Sequence, residues 1–176
     1  QDPKTLERIA VWQRVAAAWA DSQDMRIIRF GDQMNNVAVT DGDKVEAEIR
    51  FGFHVDYVPF SEVMTYFEKV EDKAVDELVA VYFNEYDHAP ELEDKTTEAY
   101  RKVWNSAKAE LTLRAVLEAY GAKAFTSNFD DLGDVNVEET GKGFDQIPGL
   151  ASQRLMADGY GFGGEGDWKT AALVRT

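Results

Sequence analysis

The segment GYGFGGEGDWKTAALVRT, residues 159–176, crowds five glycines around one Glu-Gly-Asp-Trp and then turns helical. Two readings compete for it: a glycine loop that cradles phosphate, or a tight turn that holds Glu165 at the head of a helix. Gly159, Gly161 and Gly164 formally satisfy G-x-G-x-x-G. That fingerprint works only between a strand and a helix, where the helix N-terminus meets a pyrophosphate. The residues before Gly159 read as a helix, and no ribose-binding acid follows at the required distance, so the pattern argues against a nucleotide. Glycines at 163, 164 and 166 instead let the backbone turn tightly and leave room for a ligand. A carboxylate held there can bind a metal or move a proton. Glu165 and Asp167 also suit simple capping of the helix that begins near Asp167 or Trp168.

Working outward, Leu6, Ile9, Trp12, Ala16 and Trp19 recur at helical spacing and predict a helix over 4–20 with one apolar side. MRIIRF, residues 25–30, reads as a strand closed by Gly31. Val45, Ala47, Ile49 and Phe51 alternate with charged residues after VAVT and Asp41-Gly42, which predicts a β-hairpin turning on that dipeptide. Pro59 and Ser61 predict a helix over 61–69 with Ser61 as N-cap. Val75, Leu78, Val79, Tyr82 and Phe83 form a buried helical stripe. A long helix follows over 94–120, with Tyr100, Val103, Ala107, Leu111 and Leu117 inward and Gly121 beyond its end. KAFTSNF supplies a second short strand, residues 130–146 read as an acidic surface loop, and Pro148 opens a helix carrying Leu150, Leu155 and Met156. Strands interleaved with covering helices give an α/β layer.

Composition narrows the function. Hydrophobic content of 44% and aromatic content of 12% suit a packed core rather than a disordered chain. A net charge of −14 repels nucleic-acid backbones and anionic membrane faces. With no cysteine, disulfides and thiolate chemistry are excluded. No apolar run approaches the roughly 20 residues that cross a bilayer, and no signal-peptide pattern opens the chain, so the cytoplasm is the expected compartment. Gln1 in place of Met, and a helical pattern running to Thr176 without a stop signal, lead to the expectation of a longer polypeptide on both sides.

Three blocks in order, RFGDQMNNVAVTDGDKVEAEIRFGF at 29–53, AFTSNFDDL at 124–132 and IPGLASQRLMADGYGFGGEGDWKTAALVR at 147–175, resemble the bacterial L-arabinose isomerases. The resemblance spans nearly the whole chain and corresponds to the middle of that family's longer polypeptide. It implies that residues 1–24 are the C-terminal part of a first domain and 25–176 most of a central α/β domain. Its fold would be a layered, Rossmann-like sheet with covering helices, as in the middle domain of the L-arabinose and L-fucose isomerases. The family interconverts L-arabinose and L-ribulose, and D-galactose and D-tagatose, through an enediol in sugar catabolism. By match, Glu165 is a catalytic residue and a ligand of Mn²⁺, while Met34 and Phe129 line the sugar pocket. For Met34 and Phe129 the residue types alone indicate ordinary core packing.

The chemistry suits these residue types, because moving hydrogen between two sugar carbons needs a Lewis acid and placed acid–base groups. A neutral sugar also suits an acidic protein. The resemblance places a second glutamate and two histidine ligands beyond Thr176, and His54 and His88 match none of them. One carboxylate cannot hold Mn²⁺ tightly. The resemblance further implies a homo-oligomer, no nucleic-acid or membrane partner, and no turnover by these 176 residues alone. A non-catalytic α/β module with a sugar-facing surface is the alternative expectation.

Overall fold

A computed structural model describes residues 2–131 and 143–176. Most of the stretch read as an acidic loop, 132–142, lies outside the described residues. The element order is α1 (Pro3–Ser22), β1 (Arg26–Phe30), α2 (Lys44–Phe51), β2 (His54–Val58), α3 (Phe60–Phe67), α4 (Asp72–Glu85), α5 (Glu98–Tyr120), β3 (Ala124–Ser127), α6 (Gly149–Ala157), β4 (Gly161–Gly164) and α7 (Trp168–Arg175). All strand pairs are parallel and the sheet order is β2-β1-β3-β4. In register, Arg29 stands between Tyr57 and Thr126, and Thr126 beside Gly163.

Alternation along the strands sends side chains to two covered faces, as a parallel sheet requires. Ile28, Phe30, Val58 and Phe125 meet α3, α5 and α6 through Val63, Leu113, Leu117 and Leu155. Met25, Ile27 and Ala124 meet Ala47 of α2 and Trp168, Ala171 and Ala172 of α7. A third cluster joins α4 to α5 through Val75, Val79, Tyr82, Tyr100 and Ala107. Beneath it Glu110, only 1% exposed, accepts from the Tyr82 hydroxyl at 2.6 Å and from Arg154 Nε at 2.9 Å. Burial, reinforced by this carboxylate, pushes the Tyr82 phenol upward, so it stays a donor.

The hairpin expected around Asp41-Gly42 is absent, and its second arm is α2. Asp43 caps that helix by accepting from the Glu46 amide, Gly52 ends it in the left-handed region, and Glu46 pairs with Arg50 one turn on. The alternation misled because Val45 and Ile49 are 69% and 75% exposed; no sheet face covers either. The neighbouring strand is instead HVDYV, which the helix delivers beside β1. The helix expected at 61–69 starts one residue earlier, with Pro59 rather than Ser61 at the cap, its carbonyl accepting from Glu62 and Val63. The long helix starts at Glu98 because the Thr97 hydroxyl accepts from the Tyr100 amide. Met156, expected inward, is exposed, whereas Leu155 is fully buried. Helix α1 forms as expected, but its apolar side is uncovered: Ile9, Trp12, Val15 and Trp19 are each about half exposed or more.

Candidate functional site at the carboxyl edge of the sheet

The glycine segment contains a strand that its sequence does not suggest. Gly161–Gly164 is β4, so the segment is strand, turn and helix after all. Its glycines nevertheless serve packing rather than phosphate. A Cβ on Gly161 would lie 2.1 Å from the Ala171 carbonyl oxygen, and one on Gly163 2.4 Å from that of Asp167. Only glycine lets α7 lie backbone to backbone on β4. The N-terminal amides of α7 are already claimed, since the Asp167 carboxylate accepts from Lys169 and Thr170 at 3.1 Å each. A phosphate there would meet a fixed negative charge.

Asp167 is therefore the cap, and Glu165 is not. Glu165 sits in the turn with a φ of 62°, in the left-handed region that a β-carbon disfavours, followed by Gly166 at 81°. The Gly166 amide donates to the Ser127 carbonyl at 3.1 Å, which anchors the turn to the end of β3. Glu165 is exposed and makes no hydrogen bond or ion pair among the described residues. A non-glycine residue held in this region carries backbone strain.

Met34 and Phe129 lie at the same edge. Strand order reverses between β1, whose sequence neighbour β2 lies on one side, and β3 on the other, and open α/β sheets bind their ligands at the carboxyl ends of strands at such a switch point. The loop after β1 carries Met34, the loop after β3 carries Phe129, and both residues are half-buried. A Cβ at Gly164 would lie 3.2 Å from the Phe129 ring, and one at Gly166 2.8 Å from Gln33 Cα. Asn128 ties the two loops by donating to the Gln33 carbonyl at 3.3 Å. The fold thus brings the loops of Met34, Phe129 and Glu165 together from three separate strands.

The two histidines stand elsewhere. His54 opens β2 at the opposite end of the sheet, with Asp24 and Glu48 carboxylates at 3.6 and 3.5 Å. His88 joins α4 to α5 and engages the Tyr86 carbonyl and the Glu93 carboxylate at 2.9 Å each. No group of three carboxylate, imidazole or thiol side chains fit to hold a metal occurs among the described residues. Glu165 is a single carboxylate, and the described residues do not form a complete ligand set for a divalent cation around it.

The central-domain model of L-arabinose isomerase matches residues 26–176. The chain belongs to the L-arabinose isomerase family. L-arabinose isomerases of Phocaeicola vulgatus and Bacteroides thetaiotaomicron are each 70% identical to it over all 176 residues, and that of Geobacillus stearothermophilus is 46% identical over 99% of the chain. The chain spans about a third of the length of these L-arabinose isomerases. No helix among the described residues is long and apolar enough to cross a membrane.

One residue at this edge escaped the motif reading. Arg29 of β1 is 5% exposed, and its guanidinium reaches Asp32 Oδ1 at 2.9 Å and Asp41 Oδ1 and Gln33 Oε1 at 3.4 Å. A charge inside the buried run MRIIRF was the available signal.

Proposed function

We propose that this chain supplies the Glu165 face of an L-arabinose isomerase active site, catalysing L-arabinose to L-ribulose and D-galactose to D-tagatose. The observation that carries the reading is the placement of Glu165. It is a strained, exposed and unengaged carboxylate at the carboxyl edge of the sheet, beside the loops of Phe129 and Met34, in a chain of this family.

In the reaction a proton leaves C2 of the open-chain aldose and arrives at C1, while the O2 hydroxyl proton passes to O1, through an enediol. Glu165 is positioned to take and return such a proton, since among the described residues no partner competes for its lone pairs. Phe129 and Met34 offer the sugar apolar walls. A bound divalent cation, Mn²⁺ in our reading, supplies Lewis acidity to the sugar oxygens. Glu165 provides one of its ligands and residues outside this chain the others. The same reading makes the complete enzyme a cytoplasmic homo-oligomer and leaves the 176 residues alone without turnover.

The test is Glu165→Gln in the full-length protein, assayed for L-ribulose formation and titrated calorimetrically with Mn²⁺ and L-arabinose. Loss of turnover and weakened cation binding in a normally folded variant support the reading. Turnover within a few-fold of the parent refutes the role of Glu165.

A further inference from the structure

We propose that Arg29 is a positioning residue for the sugar pocket, holding the loop that bears Met34 against the turn that bears Glu165. The inference rests on the reading of Met34 as a pocket residue.

Segment 31–43 contains no strand; it is tied to itself only by local turns, the Val37 amide donating to the Met34 carbonyl at 3.1 Å and the short 3-10 turn Ala38–Thr40 following. Its ties to the rest of the fold come from the sheet and from α7. The Arg29 fork engages Asp32 and Gln33 at one end of the loop and Asp41 at the other, thereby closing it across Met34. From α7, Trp168 Nε1 donates to the Asp41 carbonyl at 2.6 Å and Lys169 Nζ to the Val39 carbonyl at 2.7 Å. Gly166 meets the loop backbone at Gln33. The Met34 loop is thus clamped between a buried guanidinium beneath it and the first turn of α7, which follows Glu165 by three residues.

Arginine is needed because the acceptors diverge. A guanidinium presents several N–H groups in a rigid plane and can serve three acceptors at once, whereas an ammonium on a flexible stem is a single point. Burial adds to the requirement, since a buried cation is tolerated only while its partners hold it. Asp32 and Asp41 are 66% and 53% exposed in their side chains, so the clamp reaches from the sheet interior to the solvent at its carboxyl edge.

A double-mutant cycle in the full-length protein tests this, with KM and kcat for L-arabinose read separately. Arg29→Lys is expected to raise KM about five- to tenfold and leave kcat within about twofold. In a Met34→Ala background the KM effect of Arg29→Lys should vanish, which a general loss of stability would not produce. Equal KM factors in the two backgrounds overturn the proposal. If Met34→Ala raises KM while Arg29→Lys, folded, does not, the pocket reading stands and the positioning role of Arg29 fails. If Met34→Ala leaves KM unchanged, the pocket reading of Met34 itself fails and takes the proposal with it. Should Arg29→Lys not fold, Asp41→Asn removes one charged arm at the surface. It is expected to raise KM about twofold in the parent and not in Met34→Ala; an unchanged KM in the parent is equally fatal.

Discussion

Glu165 holds a left-handed backbone conformation without being glycine, and such positions are strained by about 1–3 kcal/mol. Replacing it by glycine relieves that strain, partly offset by the greater freedom of the unfolded chain. Glu165→Gly in the full-length protein is therefore expected to be more stable by up to about 1 kcal/mol in denaturant melts and still to lack activity. Glu165→Gln should keep its melting temperature within about 2 °C while kcat falls by about 10²–10⁴-fold. The buried Glu110 gives the opposite outcome. A glutamine there keeps one acceptor oxygen in place of two, for which the Tyr82 hydroxyl, Arg154 and Arg114 must compete, and removes the charge that both arginines face, while the exposed Glu85, Tyr86 and Asp158 still pair with them. Glu110→Gln is expected to cost about 3 kcal/mol in urea unfolding.

At the scale of elements, the contact of β4 with α7 is set by missing side chains. Gly161→Ala places a methyl group 2.1 Å from a helix carbonyl, which no rotamer can relieve because the obstructing atom is backbone. The variant is expected to lose about 3 kcal/mol or more and to displace α7 together with Trp168, read as a shift in tryptophan fluorescence. The junction of α1 with the sheet domain behaves differently, since charges make it. Asp21 accepts from Lys123 Nζ at 2.7 Å and from Arg175 Nε at 2.9 Å. The hydrogen bond from Lys123, followed by Arg175, holds its carboxyl below the ordinary 3.8 against opposing desolvation. With the folded value depressed, the stabilisation is complete above the unfolded value near 3.8 and disappears as pH falls below it through the folded value. Asp21→Asn should thus lower stability at neutral pH and flatten the acid limb of the pH–stability curve below about pH 4.

On the molecular scale, large apolar side chains of α1, α2 and α7 stand uncovered. Trp12 and Trp19 of α1, Val45 and Ile49 of α2, and Leu173 of α7 are all more than half exposed. A groove of about 600 Å³ runs between these helices, with Val15, Trp19, Phe51, Trp168 and Leu173 among its walls. Apolar surface exposed to this extent drives association in water. Expressed alone, the 176 residues are expected to self-associate with rising concentration in sedimentation velocity, and Trp12→Glu with Trp19→Glu should restore a monomer.

Much was fixed locally and could be read before folding. β1 and β3 are short runs built around Ile27, Ile28 and Phe125, α5 carries an inward stripe and Gly121, and Asp167 opens α7; each depends on neighbours a few residues away. The blocks around Met34, Phe129 and Glu165 likewise named their family from sequence. Tertiary structure decided whatever depended on what lies opposite. The alternation in KVEAEIRF read as a strand, but no sheet face received it and the Asp43 and Gly52 caps made it a helix. GFGG carries no strand signal, yet it pairs with β3 because only glycines tolerate α7 lying on them. Arg29 offered one of two charges in the short strand RIIRF, with nothing in the sequence to say that it and not Arg26 would be buried. Its meaning came from Asp32, Gln33 and Asp41 folding back over it, because a buried cation is defined by the partners that keep it there.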